Sequence, residues 1–217
     1  LIQVSTTPTI NTSASPATLC DNQSSALSAV VTMNPFIQNC TPPVSGVTFL
    51  PDGSGTNYST SITTDCYPPG STITSANDFV NVCLDIEHSY LGDLSMRLRC
   101  PNGQIITLKA NPGGLGTYLG NPIDDLTSGP GTGRVYCFTP TATTLLVNGP
   151  TSMAGTPASA SIVAGNYMPV NPFSNLVGCP LNGVWTIEIT DHILADDGYI
   201  FEWGFNLTAS LSNVTSF

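Results

Sequence analysis

The acidic side chains of this sequence crowd into a few short segments, and that grouping suggests metal chemistry. They form three groups: Asp85, Glu87 and Asp93; Asp124 and Asp125; and Glu188, Asp191, Asp196, Asp197 and Glu202. Crowded carboxylates repel one another unless a positive charge lies between them. The chain has only four Lys and Arg residues, so a bound cation is the better neutraliser. Hard oxygen ligands on flexible loops suit Ca²⁺. No EF-hand loop is present, and a solvated acidic rim is the alternative interpretation.

A second stretch suggests nucleophilic catalysis. Residues 151–157 read T-S-M-A-G-T-P, close to the signature G-T-S-M-A-x-P around the nucleophile of subtilisin-like proteases. In this chain Pro150 replaces the first glycine and Gly155 is inserted. A triad also needs a histidine base and an orienting carboxylate, but neither histidine stands in the upstream motifs of those proteases. The strand-turn-helix setting is missing too, so we do not expect Ser152 to be a nucleophile.

The two histidines, His88 and His192, each stand near a carboxylate in the sequence, at Asp93 and Asp191. A general acid or base role is conceivable, but we favour a histidine that forms a hydrogen bond at a strand end. No pair of carboxylates is singled out for glycoside hydrolysis in so acidic a chain. We therefore expect no catalytic residue, although a parent protein could carry a protease domain outside this chain.

The charge balance excludes several classes of partner. The chain has 217 residues, with 14 Asp and Glu and a formal net charge of -10. A nucleic-acid-binding protein needs clustered cations to displace phosphate counterions, so we expect neither nucleic acid nor an anionic membrane as a partner. No apolar run approaches the roughly 20 residues that span a bilayer, which predicts no membrane insertion. The chain begins at Leu1 without a signal-peptide core, and we interpret it as a mature fragment or domain of a larger protein.

Seven cysteines indicate an oxidising compartment. They are Cys20, Cys40, Cys66, Cys83, Cys100, Cys137 and Cys179. None forms a C-x-x-C pair, so disulfides are a better interpretation than zinc ligands, and the odd count leaves at least one thiol unpaired or bonded to a partner. We expect Cys20 to pair with Cys40. Strand phase groups Cys83 with polar residues and Cys100 with apolar ones, which predicts one cysteine on a sheet surface and the other in the core.

Strands separated by Gly- and Pro-rich turns must position these residues. Apolar and polar residues alternate over residues 80–87, 94–99 and 185–190, and Phe201, Trp203, Phe205 and Leu207 predict a further strand. Additional strand candidates are residues 2–4, 27–32, 104–108, 135–138, 144–147 and 160–163. The many short strands and the lack of a helical stretch predict an all-β fold, an antiparallel jelly-roll β-sandwich with little or no helix.

The composition along the chain predicts three parts. Residues 1–45 are rich in Ser, Thr and Pro. We interpret them as a linker or as the leading strands of an immunoglobulin-like module. Residues 46–209 carry the strands of the sandwich, and residues 210–217 form a tail. Within the sandwich, the Gly- and Pro-rich residues 110–133 predict a long loop that is either functional or disordered.

Two motifs resemble a known family. Residues 86–94 read I-E-H-S-Y-L-G-D-L and residues 97–103 read R-L-R-C-P-N-G. Together they resemble the H-T-Y-x-G-D-L and S-P-x-G signature of the P domain, which follows the catalytic unit in subtilisin-like proprotein convertases. Residues 182–191, N-G-V-W-T-I-E-I-T-D, and residues 196–205, D-D-G-Y-I-F-E-W-G-F, are similar to the second half of that signature. The resemblance covers about residues 46–209.

The particular residues of these motifs are similar to those of one branch of this family. The stretches F-L-P-D-G-S-G at residues 49–55 and G-C-P-L-N-G-V-W at residues 178–185 look like P-domain modules in large surface proteins. Gliding bacteria export such proteins by the type IX secretion route. The module there follows immunoglobulin-like repeats, which fits residues 1–45.

The resemblance implies a galactose-binding-like jelly roll without catalytic machinery. The family pattern points to Asp93, Asp191 and Asp197 for a calcium site, to which we add Asp196. We expect a noncatalytic, calcium-binding module of a secreted or cell-surface bacterial protein with a structural, stabilising or adhesive role. Its expected partners are the neighbouring domains, and surface glycans or proteins.

Two noncatalytic alternatives stay open. A carbohydrate-binding module is suggested by the jelly-roll analogy and by Tyr118, Tyr167 and Tyr199 near the expected loops. The other alternative is the regulatory domain of a secreted subtilisin-like protease, which is the role that the P domain has in convertases.

Overall fold

The structure is a computed structural model that describes residues 9–32, 40–53, 57–124 and 129–211. These residues belong to two compact units, and the second unit begins at Cys40. In the first unit, strands β1 (Thr9–Ser15) and β2 (Ala26–Thr32) form an antiparallel hairpin that confirms the strand predicted at residues 27–32. The strand predicted at residues 2–4 lies outside the described residues.

The second unit contains eleven of the described strands. In chain order they are β3 (Val44–Phe49), β4 (Asn57–Thr64), β5 (Phe79–His88), β6 (Leu94–Arg99), β7 (Ile105–Lys109), β8 (Arg134–Phe138), β9 (Thr151–Ala154), β10 (Ser159–Ile162), β11 (Gly165–Tyr167), β12 (Gly183–Asp191) and β13 (Gly198–Leu207). The helical residues described are single 3-10 turns of three or four residues. The all-β prediction is therefore confirmed.

Two sheets enclose one hydrophobic core. The first has the strand order β11-β8-β5-β13-β3 and the second the order β4-β12-β6-β7. Neighbours in both sheets run antiparallel except the edge pair of β11 and β8, which is parallel. Trp185 of β12 and Trp203 of β13 lie in the same buried cluster, so the sheets pack face to face as a β-sandwich. Large aromatic side chains of this kind contribute much of the buried apolar area.

One predicted strand is absent. Residues 144–147 do not form a strand, because the chain turns there into a 3-10 turn at Leu146–Asn148. The strand predicted from Phe201 to Leu207 is confirmed as part of β13, whose register shifts between Ile200 and Glu202. Ile200 is buried and Phe201 is half-buried. A β-bulge adds one residue to a strand and moves the following side chains to the other face.

The described disulfides all lie in the second unit. They join Cys40 to Cys66, Cys83 to Cys137 and Cys100 to Cys179. Cys20 is an exposed free cysteine, so the predicted Cys20–Cys40 bond is wrong. Disulfide pairing depends on the distance between Cα atoms, which is 5.8 Å for Cys40 and Cys66 and is fixed only by the fold.

The strand-phase prediction for the two central cysteines is confirmed. Cys100 is 1% exposed and belongs to the core. Cys83 is half-buried, and it faces Cys137 across the pair of β5 and β8.

The described part of the Gly-rich stretch, residues 110–124 and 129–133, packs against the sandwich. Leu119 pairs with His88 at the end of β5, and Asn121 pairs with Thr132. Tyr118 pairs with Ser161 of β10, and both side chains are buried. This stretch thereby covers the end of β5, where the first acidic motif lies.

Candidate functional site

The turn after β5 presents Asp93 from a tightly packed backbone. A 3-10 turn at Leu91–Asp93 connects β5 to β6, and all three of its residues are buried. Gly92 is required there, since a Cβ atom on it would lie 2.7 Å from Cε1 of Tyr90 and 2.9 Å from Cδ2 of Leu115. The G-D-L motif is therefore a buried turn in which glycine allows neighbouring side chains to close over the backbone.

A buried lysine holds this turn in place. The Lys109 side chain is 1% exposed, and its Nζ donates hydrogen bonds to the carbonyl oxygens of Leu91 at 2.5 Å and Leu94 at 2.6 Å. Nδ2 of Asn111 donates to the carbonyl oxygens of Gly92 and Asp93. Burial lowers the pKa of Lys109 to about 8, although the negative charge of Asp93 acts in the opposite direction. This role could not be recognised from the sequence, because an isolated lysine on a strand is normally exposed.

His88 and Asp191 form a fully buried pair. Nε2 of His88 lies 3.0 Å from Oδ2 of Asp191, and the two side chains are 0% and 1% exposed. Nδ1 of His88 accepts the backbone N–H of Tyr90, so the ring proton sits on Nε2 and is donated to Asp191. The expected structural role of His88 agrees with this geometry, but its partner is Asp191 and not Asp93. His192 instead lies 2.9 Å from Oγ of Ser95.

Asp93 and Asp196 lie close enough for each carboxyl group to shift the pKa of the other. Burial and the interaction with the Asp93 carboxyl group raise the pKa of Asp196 to about 6. The pKa of Asp93 is also raised, chiefly by burial. Two carboxyl groups so placed stay together at neutral pH only through a shared proton or a cation.

Two further carboxylates lie next to this pair. Asp191 repels Asp93 electrostatically, and Asp124 repels Asp196. Oδ2 of Asp124 accepts a hydrogen bond of 2.9 Å from the hydroxyl group of Tyr118. Burial and Asp124 together raise the pKa of Tyr118 to about 12. The structure therefore gathers four carboxylates from three separate sequence segments at one end of the sandwich.

Asp197 and Glu87 form a second acidic pair. Glu87 lies at the end of β5 and Asp197 directly precedes β13, and both are buried. Burial raises the pKa of Glu87 to about 7; a hydrogen bond from the Gly131 backbone opposes that rise and the charge of Asp197 adds to it. The predicted ligand set is thus divided, with Asp197 facing Glu87 and Asp196 facing Asp93.

The remaining predicted ligands lie apart from both pairs. Burial and the charge of Glu202 raise the pKa of Asp85, and Glu202 accepts a hydrogen bond of 2.6 Å from Ser45. Asp125 lies outside the described residues.

The carboxyl oxygens of Asp93 and Asp196 are hard ligand atoms, the type that Ca²⁺ prefers. Among the residues that the structure describes, no group of three or more His, Cys, Asp or Glu side chains is arranged to hold one metal ion. An ion between Asp93 and Asp196 would therefore complete its shell with backbone carbonyl groups and water. With that provision, the two neighbouring carboxyl groups fit a cation.

The stretch around Ser152 has no catalytic geometry. Ser152 lies on β9, in an exposed hairpin with β10. Its Oγ lies 3.2 Å from a guanidinium nitrogen of Arg134, which donates to it. The side chains of both histidines bond elsewhere, to Asp191 and Ser95.

The tyrosines considered for glycan stacking are mostly unavailable. Tyr118 is 6% exposed and Tyr167 is 3% exposed, so neither presents a ring face to solvent and that expectation was wrong for both. Tyr199 is half-buried. Its ring packs edge-on against Phe49, with 5.3 Å between the ring centroids.

Part of the chain matches a known protein family. Residues 78–128 match the family model of the proprotein convertase P-domain. The matched stretch runs from β5 through the turn that carries Asp93 to the segment that carries Asp124. The second motif, at residues 182–205, lies outside it. Among curated proteins, no relative of this chain was found. In the described part of the chain, no helix is long and apolar enough to cross a membrane.

Proposed function

We propose that this chain is a noncatalytic P-domain-like module that binds Ca²⁺ at one end of its β-sandwich. The observation that carries the proposal is the proximity of the carboxyl groups of Asp93 and Asp196, each of which shifts the pKa of the other. Asp93 also lies in the segment that matches the P-domain model. The two residues are far apart in sequence and come from the two motifs that resemble this family.

Asp93 and Asp196 would hold the ion, with Asp124 and Asp191 as the nearest further carboxylates. A bound Ca²⁺ supplies the positive charge that lets these groups be ionised together. The chain's own residues prepare the site. Lys109 and Asn111 fix the backbone of the turn, and His88 holds Asp191 by a hydrogen bond.

The site joins the turn after β5 to the turn before β13, which belong to different parts of the sequence. An ion there would act as a cross-link that only the folded state can form, and it would raise stability accordingly. This supports a stabilising role. An adhesive role towards surface proteins or glycans remains part of the proposal.

The proposed location is outside the cell, in a secreted or cell-surface bacterial protein of the type IX, gliding-associated kind. Three disulfides support an oxidising compartment. The neighbouring domains of the parent protein are the proposed partners. A regulatory role next to a secreted subtilisin-like protease is the second candidate, and it is favoured by the family match itself.

The experiment is a thermal unfolding series with a matched control. The wild-type chain, Asp196→Asn and the control Asp65→Asn, which alters an exposed carboxylate, are heated in EDTA and in excess Ca²⁺. At a Ca²⁺ concentration of 100 times Kd we expect a gain of about 2.7 kcal/mol in the wild type and the control. Asp196→Asn should lose that gain. A melting temperature that responds to neither EDTA nor Ca²⁺ in the wild type refutes the calcium part.

A further inference from the structure

The outer face of the first sheet carries two carboxylates side by side. In the antiparallel register, Glu202 of β13 lies opposite Asp85 of β5 on one side and opposite Ser45 of β3 on the other. Residues opposite each other on neighbouring strands point to the same face, with Cβ atoms about 4.5–5.5 Å apart. Oγ of Ser45 donates a hydrogen bond of 2.6 Å to Oε2 of Glu202. Strand geometry therefore makes Asp85 and Glu202 neighbours on one surface.

A β-bulge places the ring of Phe201 beside this pair. The register of β13 against β5 shifts between Ile200 and Glu202, so that Phe201 and Glu202 together oppose Asp85. Ile200 is buried, whereas Phe201 is half-buried. A Cβ atom on Gly133 would lie 2.1 Å from Oδ1 of Asp85 and 2.6 Å from Cδ2 of Phe201. The ring edge and the carboxyl group are therefore close neighbours.

Aromatic and apolar side chains extend this surface on both sides. Phe49 of β3 is 45% exposed and packs edge-on against the ring of Tyr199. Val135 of β8 lies opposite Asp85 and is 49% exposed. Exposed aromatic side chains next to polar groups are typical of protein–protein interfaces. We call this surface the acidic-aromatic face, and its residues are Phe49, Asp85, Val135, Tyr199, Phe201 and Glu202.

The negative charge of Asp85 is only partly solvated. Its Oδ1 atom is buried and has no hydrogen-bond partner among the described residues. The residue as a whole is half-buried and so remains within reach of the surface, and Glu202 is exposed. Burial and the charge of Glu202 raise the pKa of Asp85. Like charges directly opposite each other destabilise a sheet, so a positive group at this position is favoured.

The four Lys and Arg side chains of the chain lie elsewhere. Arg97 and Arg99 belong to β6 and Lys109 to β7, which are strands of the second sheet. Arg134 belongs to the first sheet, but its guanidinium group donates to Oγ of Ser161 and to the carbonyl oxygen of Ile162. The chain therefore supplies no Lys or Arg side chain to the acidic-aromatic face.

We infer that the acidic-aromatic face binds an arginine side chain of a partner protein. A guanidinium group donates two parallel hydrogen bonds to carboxylates, and its flat face stacks on aromatic rings. Asp85 and Glu202 match its charged edge, and Phe201 matches its flat face. A glycan has no positive charge to offer these carboxylates. The inference does not rest on the proposed calcium site, since none of these residues is a ligand there.

The test is an NMR titration of the whole isotope-labelled chain with N-acetyl-arginine amide. The matched probe is N-acetyl-citrulline amide, which has the same shape without the charge, and galactose represents a glycan. Each titration is run in EDTA and in excess Ca²⁺. We expect the arginine probe to shift the backbone amide signals of Asp85, Phe201 and Glu202 in both buffers. The citrulline probe and galactose should leave those signals unchanged.

Three variants and a control test the named side chains. Asp85→Asn should raise the Kd of the arginine probe about tenfold, because a partly buried charge is lost. Glu202→Gln should raise it about threefold, since this carboxylate is exposed. Phe201→Leu should also raise it about threefold, through loss of the ring face. The control Asp65→Asn, which alters an exposed carboxylate outside this face, should bind like the wild type.

Several results would overturn the inference. Equal shifts with the citrulline probe, or no shift with the arginine probe, show that the face does not select a guanidinium group. Shifts with galactose alone assign the face to a glycan. If Ca²⁺ shifts the amides of Asp85 and Glu202 and abolishes arginine binding, the two carboxylates hold an ion instead. Glu202→Gln changes an exposed side chain, so an unaltered Kd in that variant counts against the inference even if Asp85→Asn fails to fold.

Discussion

The two central disulfides should differ in how much stability each contributes, although both close long loops. The Cys83–Cys137 bond spans 54 residues and the Cys100–Cys179 bond spans 79. The restriction of the unfolded chain is worth about 4.2 kcal/mol for the first and about 4.5 kcal/mol for the second. Chain entropy alone therefore makes them nearly equal.

The two disulfides differ in burial, and this difference makes their contributions to stability unequal. Cys100 and Cys179 are 1% and 0% exposed and lie within the core, whereas Cys83 and Cys137 are half-buried between neighbouring strands. Replacing the core pair by alanine also removes two sulfur atoms from packed surroundings, which costs about 1–3 kcal/mol more. We expect Cys100→Ala/Cys179→Ala to lose about 6 kcal/mol and Cys83→Ala/Cys137→Ala about 4 kcal/mol.

The assay is urea unfolding at equilibrium, followed by tryptophan fluorescence, since Trp185 and Trp203 are both buried. The two double variants are compared with the wild type in the same buffer, with Ca²⁺ present throughout. If the Cys83/Cys137 variant is the less stable of the two, the reasoning from core burial is wrong.

Three further predictions follow from the buried charges and from Ser152. In EDTA, the stability of the wild type should fall as pH rises from 5 to 8, because the pKa of Glu87 is raised from 4.5 to about 7 and that of Asp196 from 3.8 to about 6 in the folded state, and the protonated forms are lost over that range. Urea unfolding at pH 5 and pH 8 checks this, and the fall should be smaller by about 2.5 kcal/mol in Glu87→Gln; an equal fall in both chains would contradict the role of Glu87. Lys109→Met should lower the free energy of unfolding by about 2–5 kcal/mol, because the carbonyl oxygens of Leu91 and Leu94 lose their hydrogen-bond donor. A melting temperature within 2 °C of the wild type would show that Lys109 does not stabilise the turn. A fluorophosphonate probe should not label the chain, and labelling that Ser152→Ala abolishes would restore the enzyme hypothesis.

Some features of the site could be predicted from sequence because they are local. The turn at Gly92 and Asp93 follows from a strand that ends in a G-D-L motif, and the inward phase of Leu84 and Ile86 follows from alternation along β5. The role of Lys109 could not be predicted, since its acceptors are carbonyl groups of a turn that precedes it by fifteen residues or more. The pairing of His88 with Asp191 likewise spans 103 residues.

The all-β class, the phases of the central strands and the excess of acidic groups could all be predicted from the sequence alone. Period-two alternation and charge counting need only neighbouring residues or totals. Which carboxylates lie near each other depends on the tertiary structure, which divides one predicted group into two pairs. Asp196 and Asp197 are adjacent in the chain, yet one faces Asp93 and the other faces Glu87. Which partner each meets depends on how β5 and β13 lie side by side, a contact between distant segments that no local pattern encodes.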